Sequence, residues 1–370
     1  MKIITAYSIK KNIDENIEEL RKNIGDCKSK FILFFASSNF EPEAVGKKMK
    51  DFFPDAEIAG CTTSGEIVSG KVLTDSIVAM AFDSSAVADI KIEVVENIKQ
   101  NNDENVRKAF ASFASYYKIP PQDMDYKKFV GLILIDGLSG AEEKIIDKIG
   151  DLTNVIFIGG SAGDDLKFKS TNVFANGKTY SNAAVLILMK PGLKFSFIKT
   201  QSFKALSAKL IATKVVEENR EVIEFNNKTA KTAYAEALGI STDKAENFFM
   251  SNPVGLLIDN EPYVRSPQRF NDGSMVFYCN VLKDMELSLL QSTDIINDTA
   301  NAIEKKTQEY GKIAGIINFH CILRTLELNN KGIAGKYGKI FSDIPTIGFS
   351  TYGEQFLGHI NQTSTMLFFY

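Results

Sequence analysis

The chain holds two histidines and four cysteines, and these bound the chemistry open to it. His320 and Cys321 are neighbours at the end of an apolar run, and His359 stands after a glycine near the C-terminus. An imidazole can ligate a metal or serve as the base for a thiol nucleophile. Adjacent strand residues point to opposite faces, which works against a His320–Cys321 pair. No GxSxG, HExxH or GxGxxG-plus-acid pattern occurs, so the common hydrolytic and dinucleotide chemistries have no carrier. Cys27, Cys61, Cys279 and Cys321 show no CxxC spacing, which excludes a zinc ribbon or a dithiol motif and fits free thiols in a reducing compartment. The residues read as a binding protein, not an enzyme.

Arginines and hydroxyls are the remaining candidates for recognition. Arg324 lies four residues after His320, on the same face if the segment is helical. A guanidinium suits a carboxylate; an ion pair with a neighbouring Glu accounts for it equally. Arg265, in PYVRSP, is a second candidate, with a structural salt bridge as its alternative. Two turns, GCTTSGE at 60–66 and GFSTYGE at 348–354, offer Thr62, Thr63, Ser64, Ser350, Thr351 and Tyr352 to a small ligand. Tight-turn structure explains the same residues. The first turn has the G-x4-G spacing of a phosphate loop, but Glu66 stands where Lys belongs and strand-like sequence follows. Phosphate would be repelled, so nucleotide binding is rejected there.

The elements that must position these residues form an internal repeat. An apolar strand (31–36), a helix (41–53), a short strand (56–59) and the first glycine turn recur as strand 129–137, helix 139–149, strand 154–160 and GSAGDD at 160–165, a shortened turn. They recur again as strand 313–320, helical sequence to about 341, PTIGF and the turn at 348–354. Gly70-Lys71, Gly177-Lys178 and Gly358-His359 then precede the strands IVAMAF, AVLIL and TMLFF. Parallel strand–helix–strand units place their loops at the carboxyl ends of strands, where α/β sheets bind ligands. The expected fold is α/β, with mixed sheets built from three β-α-β-β units in two closely packed domains, 1–218 and 219–370. Between the second and third units the pattern predicts two long strands over 194–217, helices at 226–238 and 241–250, a hairpin at Asn271-Asp272-Gly273, and a helix over 293–310.

A net charge of -3 with dispersed Lys and Arg argues against nucleic acid and against a polybasic membrane anchor. The apolar runs are strand-length, and the N-terminus lacks a signal-peptide core. A cytoplasmic protein is expected.

GCTTSGEI (60–67), IGGSAGDD (158–165), PYVRSPQRFNDGSM (262–275), CILR (321–324) and GFSTYGEQFLGHINQTSTMLFF (348–369) together resemble the FIST sensory family over essentially the whole chain. The resemblance implies a small-ligand sensor, with amino acids the usual suggestion. With no output domain appended, it would act in trans on a histidine kinase, a diguanylate cyclase or phosphodiesterase, or a chemotaxis protein, by ligand binding at the rim between the halves. The segment GFSTYGEQFLGHINQT is similar to a haem-binding, nitric-oxide-sensing branch, which makes His359 the expected iron ligand. Asn361, Gln362 or Thr363 would then accept from its other ring nitrogen. His320 competes for that role. Cys321 is a further ligand-contact candidate.

Overall fold

The first repeat runs β1 (Ile3–Ser8), α1 (Ile13–Ile24), β2 (Ser29–Ser37), α2 (Pro42–Phe52), β3 (Glu57–Thr63), the hairpin β4 (Glu66–Val68) and β5 (Lys71–Leu73), and β6 (Ile77–Asp83). Local sequence starts its helices: the Asn12 side chain caps α1, and the Glu41 carboxylate caps α2 with Pro42 in its first turn. The second repeat runs β7 (Val87–Glu96), α3 (Ile98–Tyr117), β8 (Val130–Ile135), α4 (Glu142–Leu152), β9 (Phe157–Ser161), the hairpin β10 (Val173–Ala175) and β11 (Lys178–Tyr180), and β12 (Ala183–Pro191). The third opens with β13 (Phe195–Gln201) and is then interrupted. The interruption comprises β14 (Phe203–Val216), β15 (Glu221–Phe225), β16 (Lys228–Thr229), α5 (Ala230–Leu238), β17 (Val254–Ile258), β18 (Glu261–Arg265), β19 (Pro267–Asn271), β20 (Ser274–Phe277) and β21 (Glu286–Ser292). The repeat resumes as α6 (Ile295–Tyr310), β22 (Gly315–Cys321), α7 (Ile322–Asn330), α8 (Ala334–Lys339), β23 (Thr346–Thr351), the hairpin β24 (Glu354–Phe356) and β25 (His359–Ile360), and β26 (Thr363–Phe369). This computed structural model describes residues 3–370, apart from the side chains of Asn101 and Asn102.

Two compact units result: residues to 199 with 302–359 and 364–370, and residues 200–301 with 360–363. The linear boundary at 218/219 falls within the second unit, in the turn between β14 and β15. That unit is an antiparallel sheet in the order β18-β17-β21-β14-β15-β20-β19, with β16 paired to β15. The expected hairpin at 271–273 joins β19 and β20, and Asp272 and Gly273 both take positive φ there. The helix expected at 241–250 is replaced by turns and one 3-10 turn at Ala245–Phe248. Its Ser, Thr, Asp and Asn side chains compete with the helical hydrogen bonds.

In the first unit, each repeat builds a six-stranded sheet of one pattern, in the orders β1-β6-β2-β3-β10-β11, β7-β12-β8-β9-β24-β25 and β13-β26-β22-β23-β4-β5. Each sheet is completed by a hairpin from another repeat. The first repeat lends β4-β5 to the third, the third lends β24-β25 to the second, and the second lends β10-β11 to the first. The exchange is a closed cycle of three. It also shows that the third copy begins at β13, well before residue 313.

The central strands are buried on both faces, which is why they read as continuous apolar runs. One face of all three sheets enters a shared core, including Phe35, Leu132, Phe319 and Phe349. The other face carries Ile32, Phe34 and Ala36 beneath α1 and α2, or Ile133 and Ile135 beneath α3 and α4.

Candidate ligand site

Three equivalent glycines fix the frame of the site. Gly60, Gly159 and Gly348 stand opposite Phe34, Ile133 and Asn318 on the parallel neighbouring strand. A Cβ at these positions would fall 2.3, 1.8 and 2.3 Å from the carbonyl oxygens of those partners. Aligned on these glycines, the second turn is full-length, Gly159 to Asp165, and not shortened. It differs in the excursion of 166–172 that follows before β10.

The turns meet and interlock. Ser64 N–H donates to Ser350 O (3.3 Å) and Ser350 N–H to Gly65 O (2.8 Å). Tyr352 N–H donates to Ser161 O (3.1 Å) and Ser161 N–H to Gly353 O (2.9 Å). Gly163 N–H donates to Thr62 O (3.0 Å) and Thr62 N–H to Asn172 O (2.9 Å), closing the ring of turns.

The turn hydroxyls are engaged in the same construction. Thr62 Oγ1 accepts from Asn172 N–H and Ser64 Oγ from Asp165 N–H. Thr63 donates to Glu66, Thr351 donates to Glu354 (2.5 Å), and Tyr352 donates to Asp164 while accepting from Leu166 N–H (2.8 Å). Ser350 Oγ pairs with Thr325 Oγ1 on α7 (2.7 Å). Burial pushes the Glu66 carboxyl up to about 8, against bonds from Ser76 and Thr63 that oppose the shift. A largely neutral Glu66 does not repel phosphate, so the occupied turn, and not its charge, is what excludes a nucleotide. Burial, with a contribution from Glu66, raises the Cys61 thiol well above its ordinary value, which removes it as a thiolate nucleophile.

The third repeat departs from its siblings on the helix-covered face. The register equates Asn318 with Phe34 and Ile133, and His320 with Ala36 and Ile135. Where two copies are apolar, the third is polar. Ser364 Oγ donates to Asn318 Oδ1 (2.7 Å), and Asn318 Nδ2 donates to Tyr337 Oη on α8 (3.3 Å). Tyr337 Oη lies 3.0 Å from His320 Nδ1, and the rings sit 4.6 Å apart. His320 is 0% exposed, and its Nε2 has no hydrogen-bond partner. Burial first, then the nearby Arg324 charge, lower the His320 pKa well below the ordinary imidazole value. Arg324 and Thr325 lie side by side on α7, both buried. The structure thus brings His320, Arg324, Ser350 and Thr325 to one helix-covered layer. Cys321, the last residue of β22, alternates to the opposite side. Sequence reasoning missed Asn318, Thr325, Tyr337 and Ser364. A strand-by-strand alignment on the glycines exposes Asn318; Tyr337 and Ser364 have no sequence signal.

The other candidates lie elsewhere. His359 belongs to the hairpin at the edge of the second repeat's sheet, so the two histidines occupy different sheets. His359 Nδ1 meets the Gln355 side-chain amide (3.2 to 3.3 Å), Gln355 Nε2 donates to Ser161 Oγ (3.1 Å), and Ser161 Oγ donates to Glu142 (3.3 Å). One ring nitrogen is thus held by Gln355, while Gln362 bonds Ser266 Oγ and Met250 O in the second unit. A haem ligand needs apolar walls beside the plane and a partner for its other ring nitrogen; the Gln355–Ser161–Glu142 chain can supply the second of these, and no step is derived through iron. Arg265 lies in the second unit with its guanidinium on the carbonyl oxygens of Asn280, Tyr263 and Val264. Among the described residues, no three His, Cys, Asp or Glu side chains cluster to hold a metal. No helix among them is long and apolar enough to cross a membrane.

The scaffold is a threefold-repeated α/β fold with a buried polar layer in the third copy. The FIST N domain profile matches residues 30–228 and the FIST C domain profile residues 230–357, so the chain belongs to the FIST family. FIST domains are small-ligand-sensing domains of signalling proteins. The chain is also similar to an uncharacterized protein of Methanocaldococcus jannaschii, 24% identical over 326 residues. That match covers 82% of this chain and spans 62% of the relative's length.

Proposed function

We propose that the chain is a sensor for amino-acid-like small molecules that acts on a separate signalling partner. The ligand would be received at the polar layer of the third repeat. The observation that supports this reading is the departure of that copy from the other two: Asn318 and His320 stand where Phe34 and Ala36, or Ile133 and Ile135, fill the equivalent layer. Buried polar groups weaken a core unless they are paired, so a scaffold that folds twice with apolar residues has no structural need of them. Arg324 supplies a buried cation beside the layer, suited to a carboxylate. Binding would favour one arrangement of α7 and α8 over another and so alter what a partner meets.

Haem-based nitric oxide sensing through His359 is the rival reading. It draws on the buried imidazole with one ring nitrogen already held by Gln355. A thermal-shift panel of the twenty standard amino acids, run beside a haem titration followed in the visible, separates the two. We expect at least one amino acid to stabilise the chain, by about 2.7 kcal/mol at a hundred times its Kd, with no haem spectrum that depends on His359. A flat panel together with a Soret shift abolished by His359→Ala would transfer the conclusion to haem.

A further inference from the structure

The hydrogen bonds in the third repeat have a direction. Ser364 O–H donates to Asn318 Oδ1, which orients the amide so that Nδ2–H points to Tyr337 Oη. Tyr337 Oη, having accepted that bond, has its single hydrogen left for His320 Nδ1, 3.0 Å away. An imidazole that accepts at Nδ1 and is neutral carries its proton on Nε2. Every link is a donor passing to the next acceptor, so the chain terminates in an N–H. That terminal atom is buried and has no hydrogen-bond partner. Leaving such a donor unmade is unfavourable, and the cost is removed when something with an acceptor reaches it.

We propose that His320 Nε2–H is the specificity-determining donor of the ligand site, that it binds a carboxylate oxygen of the ligand, and that Tyr337 is the positioning residue that fixes its tautomer. This rests on the sensor reading above and adds to it the atom that selects the ligand. Arg324, on the helix that follows β22, supplies positive charge close enough to depress the His320 pKa, and so favours an anionic acceptor over a neutral one. The same tautomer excludes His320 as a metal ligand through Nε2, because the lone pair a metal needs is occupied by the proton. Neither sibling repeat can make the contact, since Ala36 and Ile135 occupy the equivalent position.

The test combines imidazole nitrogen NMR with binding. Free full-length protein labelled at histidine should show His320 as the neutral Nε2–H tautomer, and Tyr337→Phe should lose that single tautomer while retaining the fold. Alanine, leucine, phenylalanine and glutamate are then titrated beside the amines that lack their carboxylates. Acids that bind should perturb the Nε2–H signal, the amines should bind at least about tenfold more weakly, and His320→Leu should weaken the acids by a similar factor. An Nδ1–H tautomer in the free protein overturns the inference. So does an acid that saturates the protein without moving the Nε2–H signal, or that binds His320→Leu as well as wild type; in both cases the sensor reading stands. If nothing in the panel binds wild type, both fall together.

Discussion

Glu66 is fully buried and accepts from Ser76 N–H, Ser76 Oγ–H and Thr63. Thr63 has one hydroxyl hydrogen and two acceptors within reach, Glu66 and the Ala36 carbonyl (3.2 Å). When Glu66 is protonated, its own hydrogen can take the place of the threonine's in the Thr63 bond, which frees the Thr63 hydrogen for Ala36. With the folded pKa raised from 4.5 to about 8, the native state keeps a proton that the unfolded chain has already released. Stability from this group is therefore present at low pH and falls as pH rises from about 4.5 to about 8. The slope is at most about 1.4 kcal/mol per pH unit. Urea unfolding of wild type and Glu66→Gln between pH 5 and pH 9 checks this: the difference between the two should shrink or change sign in favour of the variant as pH rises. A difference constant with pH would mean that Glu66 stays ionised in the fold. At this scale the sequence was only partly informative. Glu66 and Glu354 are visible as paired turn residues, but a buried neutral carboxyl depends on what surrounds it.

Among the elements, the parallel pairs β2/β3, β8/β9 and β22/β23 bring a glycine against a neighbouring carbonyl in each repeat. Gly348→Ala would place a methyl 2.3 Å from Asn318 O, where backbone and not a flexible side chain must yield. We expect a loss of about 1–3 kcal/mol, measured as a drop in Tm. Gly150, in α4, offers the opposite case: a Cβ there would meet nothing within 4 Å, and its φ is ordinary for a helix. Gly150→Ala should stabilise by about 0.5–1 kcal/mol. Opposite signs for these two substitutions in one assay would show that close approach, and not glycine content, is what the turns require. Most elements were legible because their patterns are local: the apolar runs at 31–36, 129–137 and 313–320 became β2, β8 and β22. The failure at 241–250 is also local, since Ser241, Thr242, Asp243 and Asn247 favour turns as readily as a helix.

At the scale of the first compact unit, the cyclic loan of hairpins means that no repeat owns a complete sheet. Opening one turn breaks bonds in two sheets, because Ser350 bonds Gly65 and Ser64, while Tyr352 bonds Ser161. Native-state hydrogen exchange should therefore find the amides of Ser64, Ser161, Gly163, Ser350 and Tyr352 opening with one common free energy, equal to that of global unfolding of this unit. Any one of them exchanging through a separate, lower-energy opening would show that the repeats fold as independent modules.

The sequence by itself determined the threefold use of one unit, the central strands of each copy with α2, α4 and α6, and the shared turn pattern, because hydrophobic periodicity and glycine placement act over a few neighbouring residues. It also marked His320 and Arg324 as residues able to do chemistry. Only the tertiary structure decided that each hairpin completes a sheet of a different repeat, that the turn hydroxyls tie those repeats together, and that His359 sits on a polar chain with Gln355. It alone joined Ser364, Asn318, Tyr337 and His320 into one connected line. Those partners lie on separate strands and on α8, and contacts across such sequence distances follow from how sheets pair and what packs on them, which no local pattern encodes.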